Sequence, residues 1–176
     1  MTKTEAQDTN RIGAPIFLIG FMGAGKTTVG QALARLLNCD FVDLDQLIEA
    51  RVGESISEIF AGLGETKFRR LESDAIVECR GRERTVIALG GGAYVSEENR
   101  NLLRNIGKTV WLDCPLEVCL QRVSGDHSRP LVTDEAQMRE LFERRRPAYA
   151  QADYAVQTGD LSPDELAIEI ARIVSA

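Results

Sequence analysis

Residues 18–30, LIGFMGAGKTTVG, set four glycines around one lysine and two threonines. Gly20, Gly25, Lys26 and Thr27 make the GxxxxGK[ST] spacing of a phosphate loop. Glycines let successive backbone N–H groups turn inward around phosphate oxygens. A helix starting at the end of such a loop adds partial positive charge. Lys26 is placed for the β- and γ-phosphates of a nucleotide, and the Thr27 hydroxyl for Mg²⁺. The run Gly23-Ala24-Gly25-Lys26-Thr27-Thr28 is therefore expected to hold a triphosphate.

Four further clusters could do chemistry. Asp43 and Asp45 stand in FVDLD at 41–45. At the carboxyl end of a parallel strand they would face a ligand crevice. One could orient Mg²⁺ through water, and the other hold or deprotonate an acceptor hydroxyl. Asp45 could equally cap the helix that follows. In FRRLE, 68–72, Phe68 and Leu71 read as core-facing. Arg69 and Arg70 read as either solvated or part of an anion pocket. Gly90-Gly91-Gly92 would admit a ligand close to the backbone, or serve as a plain turn. Arg144-Arg145-Arg146 precede Pro147-Ala148-Tyr149 and suit the C-terminal end of a helix dipole. In a chain of net charge −6, two such arginine clusters also suit bidentate recognition of a carboxylate.

Positioning these residues requires strands alternating with helices. Short apolar runs at 16–19, 41–44, 85–89, 109–113 and 154–157 read as five strands, with helical periodicity between them. This alternation predicts parallel βαβ units with crossovers on both faces. Ser55 with Glu58, and Ser162-Pro163-Asp164-Glu165, read as helix starts with capping boxes. Pro115 reads as a first helical position, and Pro147 is expected to end the helix running through MRELFERRR.

The 176 residues suit one domain. The acidic balance argues against a general nucleic-acid binder. No apolar run reaches the roughly 18 residues of a membrane span. Residues 1–14 read as a polar, disordered lead-in without the apolar core of a signal peptide. Cys39, Cys79, Cys114 and Cys119 show no metal-ligand spacing, and His127 is the single histidine. Structural thiols in a reducing cytoplasm are expected. No apolar stripe is left over for a partner subunit, so a monomer is expected.

GFMGAGKTT, FVDLD, FRRLE, LGGGA, SRPL (128–131) and RRPAY occur in an order that resembles the shikimate kinase family from Ile16 to the C-terminal helix. The resemblance implies transfer of the γ-phosphate of ATP to the 3-hydroxyl of shikimate, on the way to chorismate and the aromatic amino acids. It implies an α/β P-loop kinase fold over 15–176: a five-stranded parallel sheet flanked by helices. A shikimate-binding region at 44–80 and a mobile lid at 122–134 would complete it. It implies Mg²⁺ at Thr27 and Asp43, and shikimate hydroxyls at Asp45, possible base of the reaction. Arg69 and Arg145 would pair with the shikimate carboxylate, with Arg144 or Arg146 as the alternative to Arg145. Gly91 and Gly92 would supply backbone contacts, and Phe60 and Phe68 an apolar lining. Arg129 would reach the transferring phosphate, beside the polar lid residues Gly125–Ser128. Arg122 and Pro163 would flank adenine. Val156-Gln157-Thr158 departs from the family's hydrophobic-Asp-Thr pattern at the adenine loop. A kinase for another hydroxy acid such as gluconate, or a non-catalytic nucleotide-binding protein, are the competing readings.

Overall fold

The computed structural model describes residues 13–123 and 134–175. Five strands form one parallel sheet: β1 (Ile16–Ile19), β2 (Asp40–Asp43), β3 (Thr85–Ala88), β4 (Lys108–Asp113) and β5 (Tyr154–Gln157). Their spatial order is β2-β3-β1-β4-β5. The register pairs Phe17 with Ile87 on one side and Thr109 on the other. Every residue of β1 is buried, as a strand covered on both faces requires, so it reads as an unbroken apolar run.

Seven α-helices and one 3-10 turn (Ala93–Val95) complete the described chain: α1 (Lys26–Leu37), α2 (Leu44–Val52), α3 (Ile56–Glu78), α4 (Glu97–Ile106), α5 (Leu116–Val123), α6 (Glu135–Tyr149) and α7 (Pro163–Ser175). The chain leaves β1 for the edge strand β2, returns to β3 beside β1, then crosses to β4 on its other side. The connections diverge at the carboxyl end of β1, which is where doubly wound sheets bind ligands. The phosphate loop, FVDLD and the glycine triplet all lie at that end.

The local caps form as their residues dictate. Ser55 and Glu58 bond reciprocally at the start of α3. Ser162 and Glu165 do the same at α7, with Pro163 its first residue. Pro115 lies one residue before α5, where its carbonyl accepts from Val118 and Cys119.

Several boundaries differ from expectation, Pro115 among them, since α5 begins at Leu116 and not at the proline. Leu44 and Leu89 fall outside the strands, because the chain turns at the crevice after Asp43 and Ala88. Asp43, not Asp45, caps α2: its Oδ1 accepts from the N–H groups of Asp45 and Gln46. Pro147 does not end α6, which continues to Tyr149. It removes one donor from the last turn, while Ala148 and Tyr149 beyond it bury their side chains. Burying a large ring contributes roughly 1.5–3 kcal/mol, comparable to the cost of an interior proline.

Among the described residues no helix is long and apolar enough to cross a membrane. The four cysteines are free thiols, three of them buried.

Candidate active site

The phosphate loop takes its shape from left-handed or strained backbone at Gly23 and Gly25, with φ of 77° and 91°. A Cβ at Gly23 would also stand 2.7 Å from the Cys119 carbonyl of α5, so glycine is required twice over. Gly25 caps α1 with no side chain across the helix end, leaving that positive terminus to an incoming anion. Lys26 arches back over the loop, its Nζ donating to the carbonyls of Gly20 at 2.9 Å and Phe21 at 3.0 Å. The Thr27 hydroxyl donates to Asp43 Oδ2 at 2.8 Å. Asp43 thus links the phosphate loop to the start of α2. A hydroxyl and a carboxylate converge there, an all-oxygen donor set with one carboxylate, which fits Mg²⁺ completed by phosphates and water. No group of three or more metal-binding side chains occurs among the described residues, so a protein-only cage is not what this site offers.

Three adjoining cavities open at the carboxyl ends of the strands. The largest, about 530 Å³, is lined by Asp45, Phe60, Phe68, Arg69, Glu72, Gly90, Gly91, Gly92 and Arg145. It shares Thr27, Asp43, Asp45, Gly90 and Gly91 with a second of about 210 Å³ that holds Lys26, Thr28 and Arg122. The second shares Gly25, Thr28 and Arg122 with a third of about 250 Å³, lined also by Ala24, Thr158 and Pro163. An elongated ligand could thread the last two and present one end to the first. Arg122 lines both the second and the third, its guanidinium donating to the Gly23 carbonyl at 3.0 Å.

The walls of the large cavity come from distant parts of the chain. Phe60 and Phe68 lie eight residues apart, about 12 Å along an unbroken helix. Their ring centroids are 4.6 Å apart. The cause is Gly64, whose φ of 77° and ψ of 167° kink α3 and fold its arms together. The second arm carries Arg69 into the cavity and leaves Arg70 exposed. Arg69 Nη1 donates to Glu72 Oε2 at 2.6 Å and its Nη2 to Glu65 at 3.0 Å. Burial opposes its charge, but the two carboxylates more than compensate and raise its pKa.

Glu72 is a site residue that sequence reasoning passed over, although it ends the FRRLE motif. It is buried, and its second oxygen, Oε1, has no hydrogen-bond partner among the described residues. Burial pushes its carboxyl up to about 7, against the pull of Arg69 and with help from the Asp45 charge. Gly90 separates the two acids: a Cβ there would meet Asp45 Oδ1 at 2.8 Å and Glu72 Oε1 at 2.9 Å. The signal available in the sequence was the one-turn spacing from Arg69.

Of the three consecutive arginines, Arg145 enters the cavity, only 6% exposed, and burial lowers its pKa. Arg144 is exposed. Arg146 turns the other way, toward Asp113 at 3.9 Å and over the Trp111 ring. Arg69 and Arg145 approach the glycine triplet from opposite elements. A Cβ on Gly91 would meet Arg145 Nη1 at 3.2 Å, and one on Gly92 would meet Arg69 Cζ at 2.6 Å. At the adenine-loop departure, Gln157 Nε2 donates to Asp113 Oδ2 at 2.5 Å, a bond an aspartate could not make while ionised. Arg129 and most of the expected lid, 124–133, lie outside the described residues, as does most of the lead-in, 1–12.

Comparison with known proteins gives the same direction. The family described as shikimate kinase matches residues 22–175. A shikimate kinase of Persephonella marina is 43% identical over 88% of this chain and 95% of its own length. One of Geobacter sulfurreducens is 46% identical over 92% and 91%. A solved shikimate kinase from Acinetobacter baumannii, in complex with shikimate, is 39% identical with a TM-score of 0.89, covering 93% of this chain and 94% of that one.

Proposed function

The chain belongs to the shikimate kinase family and phosphorylates the 3-hydroxyl of shikimate with ATP, and we propose that its three adjoining cavities divide that reaction between acceptor, phosphates and base. The observation that carries this reading is the pair of arginines, Arg69 and Arg145, aimed into one cavity that opens onto the phosphate loop. A buried guanidinium, Arg145, and a partly exposed one, Arg69, beside a glycine triplet suit a planar carboxylate on a small acceptor.

In this reading Arg69 and Arg145 hold the shikimate carboxylate. Phe60 and Phe68 cover the apolar side of the ring, and the backbone of Gly91 and Gly92 approaches its polar edge. Asp45, at the junction of the first two cavities, orients the reacting hydroxyl and takes its proton. The Gly23–Thr28 loop and the α1 terminus bind the phosphates. Lys26 exchanges its two carbonyl partners for the β- and γ-phosphates, and its charge stabilises the transferring group. Thr27 and Asp43 would hold Mg²⁺, which when bound offsets phosphate charge. Arg122 and Pro163 both line the third cavity, and in this reading they flank the base. Arg129 keeps its role toward the transferring phosphate on the resemblance alone. In this reading the enzyme acts as a monomer in the cytoplasm.

The test is ADP release from ATP with shikimate as acceptor, run beside gluconate. Turnover with shikimate alone supports the reading. Comparable turnover with gluconate would mean that the two arginines recognise a hydroxy acid without regard to its ring.

A further inference from the structure

Tyr149 is among the largest fully buried side chains, 1% exposed, at the end of α6. It lines none of the three cavities. Its ring packs against Trp111 at 6.2 Å between centroids, which accounts for the ring but not for the hydroxyl. The hydroxyl donates to the Gly91 carbonyl. The Arg145 guanidinium, four residues earlier on the same helical face, faces the same hydroxyl and the same glycine, its Nη1 3.2 Å from where a Cβ on Gly91 would stand. The guanidinium has only donors, so toward the phenol oxygen it can only donate, while that oxygen's own proton goes to the Gly91 carbonyl.

We propose that Tyr149 is a positioning residue for the acceptor: its hydroxyl locks the carboxylate-binding arginine and the glycine triplet into one unit.

The geometry explains why such a lock is needed. A trans peptide points its C=O and N–H in opposite directions. Holding the Gly91 carbonyl on Tyr149 therefore turns the Gly92 N–H away from Tyr149. The N–H groups of Gly91 and Gly92 make no backbone hydrogen bond among the described residues. Without side chains of their own, these glycines would otherwise rotate freely. On the other side, Arg145 is buried near a second cation, Arg69, and its charge is opposed by burial. An uncharged acceptor such as a phenol fixes the fork without neutralising it, so the positive charge stays available to a carboxylate. Tyr149 stays protonated across the working range, because burial pushes its phenol up to about 12. The lock also explains why α6 runs on through Pro147: a helix ended there would not place residue 149 four positions beyond Arg145 on the same face.

The inference rests on the acceptor reading of the large cavity, so the parent enzyme comes first. If the parent fails to bind shikimate, that reading fails and Tyr149 is not at issue. With a binding parent, Tyr149→Phe keeps the ring against Trp111 and removes only the oxygen. The matched control is Tyr94→Phe, which removes another buried hydroxyl bonded to a carbonyl, that of Gln151 at 3.2 Å. Shikimate affinity is titrated by the fluorescence of Trp111, the single tryptophan. Thermal melting and the KM for each substrate are measured alongside. We expect Tyr149→Phe to weaken shikimate binding about tenfold, the scale of a lost bond to a charged group, with the ATP KM unchanged. Tyr94→Phe should leave shikimate affinity unchanged. Unaltered shikimate affinity in Tyr149→Phe would overturn the proposal. So would equal losses for both substrates, or equal losses in both variants, since a purely structural hydroxyl behaves that way.

Discussion

At the scale of single residues, Lys26 and Asp45 separate phosphate stabilisation from acceptor activation. Lys26 is half-buried over the loop and held by two carbonyls, so its charge serves the ligand and not the core. Lys26→Met keeps most of the stem. It should cut turnover at least about 100-fold while the melting temperature moves little. A folded variant with near-parent turnover would remove Lys26 from the mechanism. Asp45 is released from capping, because Asp43 already accepts the first N–H groups of α2. Asp45→Asn should therefore lower kcat by about 100-fold, within the range of general base catalysis, and leave the ATP KM almost unchanged. If only ATP affinity falls, Asp45 belongs with the phosphates.

At the scale of elements, the glycine triplet after β3 is a surface on which two arginines from α3 and α6 rest. Gly92→Ala tests that arrangement. Its Cβ would stand 2.6 Å from Arg69 Cζ, so the guanidinium must swing aside. The tip of a long side chain moves cheaply, and stability should change little. Binding should not be spared: shikimate KM is expected to rise about tenfold or more, with ATP KM constant. An unchanged shikimate KM would show that Arg69 can reach its ligand from a displaced position. The kink at Gly64 belongs to this scale too. AGLGE gives a hint of it in its two glycines, but only the folded chain shows the two arms closing Phe60 onto Phe68.

For the whole molecule, the buried carboxylate of Glu72 links stability to pH. Its carboxyl is raised from the ordinary 4.5 to about 7 in the folded state. The folded protein therefore holds a proton that the unfolded chain has released, and stability from this group is full below about 4.5. It is lost as pH rises through about 7. Glu72→Gln has no such proton to lose. The melting temperature of the variant minus that of the parent should therefore increase from pH 4.5 toward neutrality. A difference that shrinks over that interval would mean that the Arg69 pair outweighs burial and holds Glu72 ionised.

Much of this protein was decided within a few residues of chain. The phosphate loop needs only its glycines, a lysine and the next hydroxyl between strand and helix. The five strands and the caps at Ser55 and Ser162 likewise depend on neighbours three or four positions away, so pattern and spacing determined them. The tertiary structure decided which member of each cluster does the work. Periodicity places Arg69 and Arg70, or Arg144, Arg145 and Arg146, around a helix, but it does not say which direction holds a cavity. That direction is set where α3, α6 and the end of β3 meet, elements separated by tens of residues. Burial at that junction selects Arg69 and Arg145, brings Glu72 to Asp45, and carries α6 past Pro147 to seat Tyr149.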